Sequence, residues 1–160
     1  MPWFRRAGAV VPQGPPAQAA DGPEALRAAI TAVDRLVNAS AGRLPLPAVV
    51  AARRITDVLA DVVRTAEARP LEVHAVITVQ AMVTDHLPTT IRSYLAVDES
   101  LVAAARPSGR TPAESLEEQL ATLEESALAV LDAVQQEDVD ALMTQGNFLR
   151  TKFTGSDLDL

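Results

Sequence analysis

The chain has no cysteine, which excludes disulfides, thiolate metal sites and a thiol nucleophile together. Aromatic residues are only 3% of its 160 residues, so a core must be built from Ala, Val, Leu and Ile, small side chains that suit closely packed helices. Long apolar runs are missing too. The best, Leu71 to Leu87, is interrupted by Glu72, His74, Gln80, Asp85 and His86, whereas a membrane span needs about 20 predominantly apolar residues. After Arg5 and Arg6 the sequence meets Pro12, Pro15 and Pro16 before a secretory apolar region can develop. These absences lead to the expectation of a cytoplasmic protein.

What is present is acidity, unevenly spread. The net charge is -7. Residues 1–70 hold nine Arg against six acids, whereas residues 71–160 hold five basic residues against fifteen acids. Without a basic stripe the chain is a poor nucleic-acid binder, because Lys and Arg on phosphates supply most of that affinity. At 48% hydrophobic the chain is long enough for one domain with a substantial core.

Pattern along the chain points to an all-α, single-domain bundle of five to six helices, residues 21–153, between a flexible arm (1–20) and a tail (154–160). A first helix is expected from Asp21, with Pro23 in its first turn and Leu26, Ile30, Val33 and Val37 as one stripe. A second, from about Pro47 to Ala68, carries the stripe Ile55, Val58, Leu59, Val62, Val63, Ala66 and an ion-pair row of Arg53, Asp57, Asp61 and Arg64. Residues 71–87 are rich in β-branched side chains, but about 17 residues without Gly or Pro exceed a usual strand, and no partner strand exists. The expectation is a helix apolar on most sides, hence central. Pro88 is expected to break it, with Asp85 capping a new short helix built on Ile91, Tyr94 and Leu95; one kinked continuous helix is the alternative.

The strongest local signal is "TPAESLEEQL": Thr111 caps, Pro112 opens the helix and Glu114 completes a capping box. Ala113, Leu116, Leu120, Leu123, Ala127, Val130 and Val134 follow at alternating spacings of three and four, a heptad seam. A separate last helix is expected from about Glu137, its seam made by Val139, Leu142, Gly146, Leu149 and Phe153, with a close helix crossing at Gly146.

Chemistry is sparsely signalled. His74 and His86, twelve residues apart on one helix, would lie about 18 Å apart and about 120° round the axis, so they cannot share a metal unless the break at Pro88 starts earlier and folds His86 back. Neither a metal nor a cofactor is expected. Asp85, His86, Thr89 and Thr90 are the residue types a hydrolytic site would need, although a Thr-Thr pair after proline is ordinary first-turn chemistry. Asp85 and His86, as neighbours, should diverge. For a protein partner the candidate contacts are the acidic helix, with Glu117, Glu118, Glu124 and Glu125, and the two tails. The acids suit a basic partner or the protein's own Arg-rich second helix. Trp3 and Phe4 beside Arg5 and Arg6 suit a membrane surface or a partner's groove. Asp157, Leu158, Asp159 and Leu160 alternate acid and Leu, a form that adds to a sheet edge or enters a groove. Self-association is left open.

"DHLPTTIRSYL" ahead of an acidic helix resembles the helical bacterial family named for 5-bromo-4-chloroindolyl phosphate hydrolysis, through Leu87, Pro88, Thr89, Thr90 and Tyr94. The likeness covers about residues 80–153. It implies a hydrolytic phenotype and an association with toxic-anion resistance proteins, and no catalytic residues to transfer.

Overall fold

The computed structural model of the chain describes residues 22–66, 68–105, 107 and 109–155, with side chains through Gln145. The arm with Trp3, Phe4, Arg5 and Arg6, the Asp21 cap, and Asp157, Leu158, Asp159 and Leu160 lie outside the described residues, as do the side chains of Gly146, Leu149 and Phe153.

The described residues are all-α, with no strand. Helix α1 spans Pro23–Ser40 and buries Leu26, Ile30, Val33 and Val37, the stripe its spacing predicts. Its N-cap is Gly22, with Pro23 in the first turn, where the missing N–H costs nothing. Helix α2 spans Leu46–Thr65 and buries Ala48, Ala52, Ile55, Thr56, Leu59, Val62 and Val63. Ala48 and Ala52, with methyl side chains only, let helix axes approach closely. Between α1 and α2 the Thr56 hydroxyl donates to Asp34 Oδ1 (2.7 Å) and Arg53 donates to Asn38 Oδ1 (2.5 Å), so part of the expected solvated row ties the two helices together. Arg64 and Asp61, by contrast, pair along the helix at 2.7 Å.

Pro88 does not break the next helix. Helix α3 (Val73–Ala81) passes into one turn of π-helix (Met82–His86) and on into α4 (Leu87–Leu95), with Met82, His86 and Leu87 all in right-handed helical conformation. The physical reason is phase. The buried residues of the first part are Ala75, Val79, Met82 and Val83, and those of the second are Leu87, Pro88, Ile91 and Tyr94. On a straight α-helix at ~100° per residue the two sets would face ~120° apart. A π-turn, closed by the Leu87 N–H on the Met82 carbonyl, absorbs one extra residue and brings both sets onto the same core. The wider turn also spares the proline ring its clash with the carbonyl four residues back.

Nor is α3 central. Val73 is 68% and Ile77 56% exposed, and only Ala75 and Val79 of α3 are buried.

Helix α5 runs unbroken from Pro112 to Gly155, 44 residues or about 66 Å. The separate helix expected from Glu137 is therefore a continuation, since nothing between Val134 and Val139 is a breaker, and it passes two residues into the expected tail. The capping box forms as expected: Glu114 N–H donates to Thr111 Oγ1 (3.2 Å) and Thr111 N–H to Glu114 Oε2 (2.8 Å). Leu116, Leu120, Ala127 and Val134 are buried, with Leu123 and Val130 at the margin, so the heptad seam is used inside the molecule.

Four rods result. α1 packs on α2 and on the α3–α4 rod, and α5 closes the ring against α2 and α4. Gly109, in left-handed conformation (φ 78°), turns the long α4–α5 connection.

Candidate functional site

Two surfaces carry the residues singled out by sequence: a groove between α4 and α5, and the outer face of α5.

The groove consists of two adjoining cavities that share Thr90 and Gln119. One, about 330 Å³, is lined by Asp85, His86, Thr89, Thr122 and Leu123 besides the shared pair. The other, about 230 Å³, includes Ser93, Tyr94, Arg110 and Ser115. Asp85, His86, Thr89 and Thr90 are thus brought to one rim. Asp85 and His86 do not diverge as expected: His86 Nδ1 lies 3.8 Å from Asp85 Oδ2, because the π-turn advances less per residue than an α-helix. That distance is longer than a hydrogen bond. Asp85 does not cap a new helix; it accepts from the Thr89 hydroxyl at 3.2 Å. Both the Asp85 and His86 side chains are more than half exposed. The Thr89 hydroxyl is thus held by the Asp85 carboxylate, a group able to act as a general base, rather than by the His86 imidazole. Tyr94 is nearly covered, and burial first, then the Glu117 carboxylate, raise its phenol above the ordinary value.

The acidic helix is partly spent on the fold. Glu124 pairs with Arg54 of α2 at 3.1 Å, the internal match with the Arg-rich helix, and Glu118 pairs with Arg110. Glu117, Glu125 and Asp132 face solvent. Near Val134 the helix leaves the bundle. Arg69, just beyond α2, marks the exit: its guanidinium donates to the Val134 carbonyl (3.3 Å) and Glu137 Oε2 (3.1 Å) and pairs with Asp138 Oδ1 (2.8 Å).

Beyond that exit, Val139 is 50%, Leu142 71% and Met143 61% exposed. Val139 and Leu142, expected on a buried seam, are corrected to a free surface. Met143 was not singled out by sequence. The signal that could have found this surface is the five-residue step from Val134 to Val139, which interrupts the three-four alternation and turns the apolar stripe away from the bundle.

Among the described residues no cluster of three or more His, Asp or Glu is placed to hold a metal ion, and no helix is long and apolar enough to cross a membrane. No family model, curated protein or solved structure matches this chain.

Proposed function

We propose that this chain is a non-enzymatic interaction module that engages a protein partner through α5. One observation carries the reading: α5 continues about 30 Å past Val134, the last buried residue among those whose side chains are described, and presents Val139, Leu142 and Met143 to solvent there. A helix extended beyond its own core contributes nothing to that core, and a line of large apolar side chains on it is costly to leave in water. The exposed acids Glu117 and Glu125 and the tail residues Trp3 to Arg6 and Asp157 to Leu160 are further contacts under this reading. The test is affinity capture with the intact chain and with a Leu142→Glu, Met143→Glu variant. A partner held by the first and lost by the second supports the proposal; equal retention by both removes the extension from it.

A second reading, hydrolysis at the groove, is favoured by the convergence of Asp85, His86, Thr89 and Thr90 on one cavity and by the resemblance around Pro88. His86→Ala separates the two readings. An enzyme loses turnover by roughly two orders of magnitude or more, whereas an interaction module keeps its partner.

A further inference from the structure

We infer that the extension of α5 pairs with the same segment of a second copy of this chain, antiparallel and across a two-fold axis near Gly146. The inference rests on the reading of the extension as the working surface and names its partner.

The face in question cannot be covered by its own bundle. Glu118, Glu125, Asp132 and Val139 are spaced seven apart and so lie on one slowly drifting line along α5. The first three are exposed acids on the side of the helix opposite the buried Leu116, Leu120, Ala127 and Val134. The line turns from acidic to apolar at Val139, where the helix leaves the bundle, so its apolar part faces outward. A solitary helical extension of this length is also marginal in water, because most helical stability comes from packing.

The charges of the segment say what covers it. Glu137 and Asp138 at its start are taken up by Arg69, which leaves Asp140 there, while Arg150 and Lys152, the only basic residues after Arg110, stand near its end. Antiparallel self-pairing sets start against end, acid against base, twice over by symmetry. Parallel pairing would set acids on acids. Val139, Leu142, Gly146, Leu149 and Phe153 keep the three-four spacing across the same stretch, with glycine at the midpoint, where two backbones approach most closely.

Sedimentation equilibrium of the full chain up to on the order of 100 µM tests this, with circular dichroism to confirm that each variant stays helical. The expected mass is twice 16.9 kDa. Two charge variants are compared: Arg150→Glu with Lys152→Glu, and Asp140→Lys, which leaves the Arg69 pairs with Glu137 and Asp138 in place. Each alone sets like charges together and weakens its homodimer more than about tenfold; mixed, they restore a dimer. A dimer that survives both charge variants and Leu142→Glu forms elsewhere and overturns the inference. A monomeric full chain that still captures a different protein in a Leu142-dependent way overturns the copy as partner and leaves the interaction reading standing. A monomer that captures nothing overturns both.

Discussion

If the π-turn exists to reconcile two apolar stripes that are out of phase, removing its extra residue should be tolerated in one background and not in another. Deleting Asp85, which is exposed, turns the rod into a continuous α-helix while keeping Ala75, Val79, Ile91 and Tyr94 on the core side. The same deletion places the Val83 carbonyl four residues before the proline, where the ring clashes at a cost of about 3 kcal/mol. Combined with Pro88→Ala the deletion should cost less than about 1 kcal/mol, since both the clash and the missing donor are gone. Deleting Thr90 instead rotates Ile91 and Tyr94 by ~100° out of the core, and at about 1.5–3 kcal/mol per large side chain this costs about 3–6 kcal/mol. Urea denaturation followed by circular dichroism resolves the order. With a slope of about 1–3 kcal/mol per molar urea, the Asp85 deletion should lower the midpoint by ~1–3 M and Pro88→Ala should recover most of it. If Pro88→Ala leaves the deletion as damaging as before, the π-turn is not a phase correction and the reasoning fails.

Leu120→Ala should cost about 2–5 kcal/mol in the same assay, because the side chain is fully buried, whereas Leu142→Ala on the same helix should leave bundle stability within about 0.5 kcal/mol. Thr111→Ala should cost about 1 kcal/mol by removing the helix cap. The Thr111 backbone N–H first, and its side chain second, hold the Glu114 carboxyl below its ordinary value. That contribution is fully present above the ordinary carboxylate range and is lost as pH falls through the folded value; a stability profile of Thr111→Ala flatter on the acid side would show it. Tyr94 is the sole tyrosine. An ultraviolet titration should show it ionising above the ordinary tyrosine value, with Glu117→Gln lowering the midpoint part of the way. Stability from Tyr94 is present below that ordinary value and lost as pH rises through it toward the folded value.

Much of the bundle was legible because its signals are local. The α1 stripe, the Thr111–Glu114 box and the α5 seam each lie within one helix, and burial in the structure follows their spacing. The π-turn was not legible from Pro88 alone. Its cause is the relation between two apolar sets on either side of it, and a proline that ends most helices is accommodated here by one wider turn. The continuity of α5 was hidden by the acids at Glu137 and Asp138, which look like a helix start and instead meet Arg69. At the groove, the residue types were visible but their mutual placement was not, since the closeness of Asp85 and His86 depends on the π-turn.

The Arg69 junction also divides α5 kinetically. Backbone amides up to about Val134 sit beneath packed side chains and open to deuterium only when the bundle itself opens, while those past Asp138 are held by helix–coil equilibrium alone unless something covers them. Arg69 pins the helix at the boundary between the two regimes, so fraying that begins at the far end stops there. Hydrogen exchange should therefore show a step close to Glu137 in the isolated chain. The height of that step, measured against protein concentration, reports occupancy of the extension residue by residue.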